Sequence, residues 1–302
     1  MERKVELHLL FFKLFVTFLG VFIFAWWATM DLESQILSYF TAQITSPINL
    51  DYKINNTTPF QNFGLEVEAS SALSVRKKGD EKKILYKKFP TKKLPIASLT
   101  KLMTALIVVE NYDLEKKVKV SQSAVEKNGD SGRLEIGEER KIRNLLEIMI
   151  IRSSNDAAWA LAEIMGIEEF VSKMNKKAEE LGLNNTHFIN PTGLEAKLNS
   201  NYSTAKDLLM LVDYLLEKEK RILLIGANPK PLNTNKLLPN FSNIIGSKTG
   251  YTNRAGGCLL VVLSDKRGYN YINIILGAED KNSRFEEMEK IINLCNNLKF
   301  KK

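Results

Sequence analysis

The chain has 302 residues, 44% hydrophobic and 26% charged, with a formal net charge of +8. That balance supplies a real apolar core and excludes wholesale disorder, and no repeat with a period of roughly 20 to 50 residues points to a solenoid. The surplus charge is scattered lysine, densest at Lys77–Lys83 and Lys87–Lys93, which reads as solvated surface. With no zinc-finger spacing and no RNA-binding signature, no nucleic-acid partner is expected.

Leu14 to Met30 carries no charge. If Lys13 snorkels toward the headgroups the stretch extends back to Leu9, about the 20 residues that a spanning helix needs. Residues 1–30 are therefore predicted to be an N-terminal membrane anchor, with 9–30 in the bilayer. A cleaved signal peptide is the alternative, but Trp26 and Trp27 stand where a cleavage site wants small side chains. Arg3, Lys4 and Lys13 precede the span, whereas Asp31 and Glu33 follow it and the next basic residue is Lys53. The positive-inside rule then puts the N-terminus in the cytoplasm and the rest of a single-pass cell-membrane protein outside.

Residues 31–62 are polar, rich in Asn and Thr, and read as a stalk. The folded domain is assigned to 63–302. Short alternating runs at Ser71–Arg76 and Lys83–Lys87, joined by a Lys-Gly-Asp turn, predict a β-hairpin. Ser98–Asn111 is apolar around most of its circumference, the pattern of a helix that runs through a core. Further helices are predicted at Ile142–Arg152, Asp156–Met165, Ile167–Leu181 and Thr204–Lys218, with Gly166 and Gly182 as stops. Strands return at Asn243–Lys248, Cys258–Ser264 and Tyr269–Gly277, and a helix closes the chain from about Asn282 to Leu298. The simplest arrangement is an α+β fold, an antiparallel sheet of about five strands built from both ends of the chain and flanked by helices. A helical subdomain, about 106–240, is inserted in it.

Two cysteines are present, Cys258 in a strand and Cys295 in the last helix. They pair if that helix packs on that strand; otherwise they are two buried thiols. His8 and His187 are the only histidines, and neither has a second ligand at helical spacing, so no metal is expected.

The pattern Ser-x-x-Lys occurs three times, at Ser74/Lys77, Ser98/Lys101 and Ser203/Lys206. On a strand, residues 74 and 77 point to opposite faces. Ser203 precedes a helix start at which Thr204 and Asp207 read as a cap, with Lys206 solvated. Ser98 alone opens an apolar helix, where a separation of three brings Lys101 beside its hydroxyl. Burial and the positive end of the helix dipole both lower the pKa of Lys101, toward the range where a neutral amine can take the serine proton. A capping box would have Glu or Gln at 101, and a cation in the first turn has the wrong sign. Ser153-Ser154-Asn155 lies at a junction between helices, where Asn155 or Asp156 could equally be a cap. Lys248-Thr249-Gly250 ends a strand. The three motifs in this order are far more specific than any one.

With these motifs the chain resembles the serine D-alanyl-D-alanine carboxypeptidases, low-molecular-mass penicillin-binding proteins of peptidase family S11 in the β-lactamase/transpeptidase-like superfamily. The likeness covers roughly Leu65 to Gly277. It includes Ser98-Leu-Thr-Lys101, Ser154-Asn-Asp-Ala-Ala, Phe188-Ile-Asn-Pro-Thr-Gly-Leu194, Tyr202-Ser-Thr-Ala and Lys248-Thr-Gly-Tyr-Thr.

The resemblance implies that Ser98 is the nucleophile, Lys101 the proton acceptor and Ser153 the relay to the leaving D-alanine. Asn155 would hold the substrate amide, Lys248 and Thr249 the terminal carboxylate, and the backbone N–H groups of Ser98 and Tyr251 the oxyanion. The implied partners are a peptidoglycan pentapeptide ending in D-Ala-D-Ala and β-lactam inhibitors, and no cofactor is called for. Two departures stand out. The β-rich C-terminal domain and terminal amphipathic anchor of many relatives are not expected after the catalytic fold. Ser154 also replaces a more common glycine, a change that a solvent-side turn would absorb. A β-lactamase would need a deacylating Glu followed by Leu-Asn, which Gly182–Leu194 lacks. The other readings are a DD-endopeptidase and an inactive wall-binding protein on the same fold.

Overall fold

The computed structural model describes residues 65–196 and 199–298. The expected anchor and stalk lie outside the described residues, and no helix among the described residues is long and apolar enough to cross a membrane. In chain order, β1 (Ser71–Lys78) and β2 (Glu81–Lys88) form the hairpin, and β3 (Leu94–Pro95) leads through a 3-10 turn, Ala97–Thr100, into α1 (Lys101–Asn111). Next come β4 (Lys117–Lys119), α2 (Gln122–Val125), β5 (Glu139–Lys141), α3 (Ile142–Ile151), α4 (Asn155–Glu163), α5 (Ile167–Glu180) and β6 (Tyr202–Ser203). Then follow α6 (Ala205–Lys218), α7 (Lys220–Gly226), β7 (Ile244–Thr252), β8 (Gly256–Ser264), β9 (Asn270–Ala278) and α8 (Ser283–Leu298).

The predicted α+β fold is the one observed. Five strands form an antiparallel sheet in the order β2-β1-β9-β8-β7, so the N-terminal hairpin zips onto the C-terminal meander along β1 and β9, with Ser71 opposite Leu276 and Lys77 opposite Asn270. Both faces of β8 are buried, which is why Cys258–Leu263 reads as an unbroken apolar run. The strand alternation sorts that run between two cores. Cys258, Leu260 and Val262 join the larger core with α1, α3 and α6, whereas Leu259, Val261 and Leu263 pack with Met288, Ile291, Ile292 and Cys295 of α8.

This alternation settles the cysteines. Helix α8 does pack on β8 and β9, but Cys258 points to the other side of the sheet, and the two buried residues form no disulfide. α1 runs through the larger core as its all-round apolar pattern predicts, with Lys101 through Val109 buried. Its opening differs from expectation. Ser98 sits in the 3-10 turn and Lys101 is the first residue of the α-helix, with no side-chain cap. A 3-10 turn eclipses positions i and i+3, so the change tightens the approach of Ser98 and Lys101.

The hairpin is fastened to the helical layer by charge. Asp213 of α6 bonds both Lys77 of β1 and Lys82 of β2, and Lys77 also reaches Glu217 at 2.6 Å. The Asp213 side chain is 3% exposed and that of Lys77 7%. Ser74, three residues before Lys77, instead donates to Asn273 at 2.7 Å. The two ends of that Ser-x-x-Lys therefore have separate partners. At the third copy, Thr204 caps α6 by accepting from the Asp207 N–H, and Lys206 is exposed.

Candidate active site

Lys101 is fully buried, and its ammonium position is defined by three acceptors. Nζ donates to Ser98 Oγ at 2.9 Å, to Asn155 Oδ1 at 2.8 Å and to the Thr192 carbonyl at 2.7 Å. Burial is the dominant influence on it. The carboxylates of Asp130 and Asp156 oppose that effect only in part, and the pKa falls to about 7. A large share of the amine is then neutral near neutrality and able to receive the Ser98 proton.

The Thr192 acceptor comes from a loop whose sequence explains its shape. Asn190 Oδ1 accepts from the backbone of Thr192 and Gly193, and the buried Asn201 accepts through Oδ1 from Ile189, so two side-chain amides fold the turn. Gly193 has φ +85°, and a Cβ there would stand 2.0 Å from the Ala97 carbonyl oxygen. Only glycine lets this loop press against the residue before the nucleophile. Ala97 itself has φ +44° and Ser153 φ +61°, so two non-glycine residues in the left-handed region occupy the site. Strain of this kind is sustained where the surroundings impose it.

Ser153 lies between α3 and α4 and accepts from Lys248 Nζ at 2.8 Å; that amine also donates to the Thr249 carbonyl at 2.9 Å. Burial, and then the charge of Lys101, holds the pKa of Lys248 well below the usual lysine range. Thr249 Oγ1 is 2.6 Å from Thr234 Oγ1. A cleft of about 310 Å³ opens between these elements, lined by Ser98, Ser153, Asn155, Thr249 and Tyr251 among others. The three sequence motifs therefore converge, Lys101 at its base and Lys248 behind its wall.

Ser154 corrects an expectation. Its position is buried rather than on the solvent side, and its hydroxyl caps α4 by accepting from the Ala157 N–H at 3.0 Å. The reason is a loop over 128–132 that folds across the junction. Gly132 N–H and Ser131 Oγ bond the Asp156 carboxylate, Asn155 N–H donates to the Asp130 carbonyl at 2.7 Å, and Asn155 Nδ2 donates to the Asn128 carbonyl at 2.8 Å. The cap is thus Ser154, not Asn155 or Asp156.

Arg284 adds a cation that none of the three motifs contains. It is buried at the start of α8, lines the cleft and donates to the Gly250 carbonyl at 2.5 Å, while its Nε is buried with no partner among the described residues. Burial lowers its pKa. No periodicity or short motif marks this residue; it reaches the site only because α8 packs against the sheet beside β7.

Comparison with known proteins fits this geometry. The family model for D-alanyl-D-alanine carboxypeptidase, peptidase S11, matches residues 55–280. The chain belongs to that family. It is 37% identical over 247 residues to a D-alanyl-D-alanine carboxypeptidase of Bacillus subtilis, an alignment covering 76% of this chain and 62% of that relative. A D-alanyl-D-alanine endopeptidase of Escherichia coli is 36% identical over 217 residues, or 65% of this chain and 67% of the relative. Penicillin-binding protein D2 of Listeria monocytogenes, solved with cefotaxime bound, superposes with a TM-score of 0.69 at 28% identity and covers 76% of this chain and 98% of that one. The carboxypeptidase family thus includes relatives named for two cleavage reactions, and this chain spans under two thirds of the Bacillus protein.

Proposed function

We propose that this chain is a serine D-Ala-D-Ala carboxypeptidase acting on peptidoglycan stem peptides and acylated by β-lactams at the same serine. The observation that carries the reading is the 2.9 Å bond between Ser98 and a fully buried Lys101 whose pKa is about 7. Ser98 Oγ attacks the carbonyl carbon of the penultimate D-alanine as its proton passes to neutral Lys101. The oxyanion is received by the backbone N–H groups of Ser98 and Tyr251. The C–N bond breaks with a proton delivered through Ser153, D-alanine leaves, and water frees the peptide from the ester. Asn155 holds the substrate amide on the acyl side. Lys248, Thr249 and Arg284 face the terminal carboxylate, for which basic groups and a hydroxyl on a rigid strand edge are suited.

An uncharged stretch over residues 14–30, with Arg3, Lys4 and Lys13 before it, supports attachment to the cell membrane with the domain outside. Hydrolysis of cross-links is the second reading, favoured by the 36% identity to an endopeptidase. The test is release of free D-alanine from a diacetyl-lysyl-D-Ala-D-Ala peptide. Wild type is expected to release it and Ser98→Ala to fall by roughly a thousandfold or more. Equal release by the two proteins contradicts the assignment.

A further inference from the structure

The two backbone donors assigned to the oxyanion belong to separate pieces of chain. Ser98 N–H comes from the 3-10 turn Ala97–Thr100, and Tyr251 N–H from β7, an edge strand of the sheet. An edge strand is paired on one side only, here with β8, and its outer N–H groups stay open. One loop touches both pieces. Gly193 lies against the turn, where a Cβ would stand 2.0 Å from the Ala97 carbonyl oxygen and 3.0 Å from Ser98 N. Two residues on, the half-buried Glu195 accepts through Oε1 from Thr252 Oγ1 at 2.5 Å and from Arg254 N–H at 3.2 Å.

These bonds close the turn between β7 and β8. Thr252 Oγ1 also accepts from Ala255 N–H at 3.1 Å, so the carboxylate and this hydroxyl together take the N–H groups of Arg254 and Ala255. Thr252 directly follows Tyr251, and a Cβ at Gly250, on its other side, would meet Ser98 N at 3.0 Å. The strand therefore runs flush against the turn just before the second donor. Loop 190–195 is itself held at its start, where Asn190 Oδ1 accepts from Thr192 and Gly193 N–H and the Thr192 carbonyl accepts from Lys101. A hydrogen bond to a carboxylate is roughly twice as strong as a neutral one. Glu195 is thus the strut by which a loop seated on the nucleophile's turn grips the strand that carries Tyr251.

Resting on the reading of Ser98 as the acylated serine, we propose that Glu195 is a positioning residue whose bonds to Thr252 and Arg254 set the gap between the Ser98 and Tyr251 N–H groups. It touches no reacting atom. Preorganised donors act on the transition state more than on the bound substrate, and a displacement of about 1 Å far from the chemistry can cost about a hundredfold. Loss of the strut therefore lowers the rate constant for acylation and leaves binding of the unreacted substrate little changed. A Glu that activated the deacylating water would do the reverse, slowing release of the acyl group and sparing acylation.

The experiment gives the full chain two esters, diacetyl-lysyl-D-Ala-D-lactate and the same compound with sulfur in place of the scissile carbonyl oxygen, and separates acylation from binding by single-turnover rates. Sulfur is a poor acceptor for the two N–H groups, so the oxygen-to-sulfur rate ratio reports on the oxyanion site. Glu195→Ala is expected to slow acylation by the oxygen ester about tenfold to a hundredfold and to shrink that ratio. Glu195→Gln keeps an acceptor oxygen in place and should stay within about fivefold of wild type. Thr252→Val cuts the same strut from its other end, and the double variant should be no slower than the worse single one. Wild-type rates in Glu195→Ala overturn the proposal, as do a slower rate with an unchanged ratio, a loss confined to deacylation, and an equal loss in Glu195→Gln and Glu195→Ala. Near-UV circular dichroism shows which variants are folded, and if Glu195→Ala is not, the same fall in rate and ratio is required of Thr252→Val. Failure of the oxygen ester to acylate wild type defeats the Ser98 reading itself, and this inference with it.

Discussion

Lys101→Met is expected to slow acylation of Ser98 by about a hundredfold to ten-thousandfold, the usual contribution of a positioned base. The amine has three acceptors and no solvent, and its pKa of about 7 comes first from burial. Acylation by wild type should therefore rise with pH through about 7 as the amine loses its proton, and the variant should lack that limb. Stability is expected to rise with pH as well. An unfolded chain restores Lys101 to its model value of 10.5, so between about pH 7 and that value the unfolded state binds the extra proton and wild type gains stability as pH rises. Below that window the buried charge costs stability, which the methionine variant should recover near neutrality. Stopped-flow acylation by a chromogenic β-lactam across pH 5 to 9, with urea unfolding of the same proteins, reads both effects. A variant that keeps the wild-type pH limb contradicts the role of Lys101.

The largest stability effect is expected from Asp213→Ala, far from the cleft. The substitution leaves Lys77 and Lys82 in a site where their side chains are 7% and 13% exposed. Removing one member of a buried ion pair typically costs 3 to 5 kcal/mol, and Glu217, still beside Lys77, holds the expected value near the lower end, about 3 kcal/mol. Burial alone would lower the pKa of Lys77, but hydrogen bonds and charge from Asp213 and Glu217 override it and the pKa is raised. A lysine raised on folding stabilises below its unfolded pKa and loses that contribution only as pH climbs through the folded value, so the network acts across the whole neutral range. Urea unfolding at pH 7 should show the loss, and the triple change of Lys77 and Lys82 to Met with Asp213 to Leu should recover most of it. A wild-type midpoint in Asp213→Ala would contradict this account of the hairpin's attachment.

The architecture was legible because its signals are local. α1 is apolar on every side, β8 is an unbroken apolar run, and Ser98 and Ser153 stand beside the ends of elements whose period can be read, whereas β7 runs past its expected end at Lys248 to Thr252 because Thr249–Thr252 go on pairing with β8. The 3-10 opening of α1 escaped notice because no side-chain cap marks it. The sequence places Ser154 on the solvent side because nothing in its own neighbourhood announces that residues 128–132 will fold over it. Thr234, Asp130 and Arg284 carry no sequence signal for a related reason, and Thr192 stands in the string Phe188–Leu194 with nothing there to mark its carbonyl. Their roles depend on a backbone carbonyl, on a loop crossing or on a helix docked beside β7, none of which leaves a spacing in the chain.

Intact-mass spectrometry after incubation with benzylpenicillin tests the central claim most directly, on wild type and Ser98→Ala of matched folding by circular dichroism. Wild type should gain the mass of one penicillin molecule, placed at Ser98 by peptide mapping, and Ser98→Ala should gain none. An adduct on both proteins, or on neither, would contradict the assignment of Ser98 as the nucleophile.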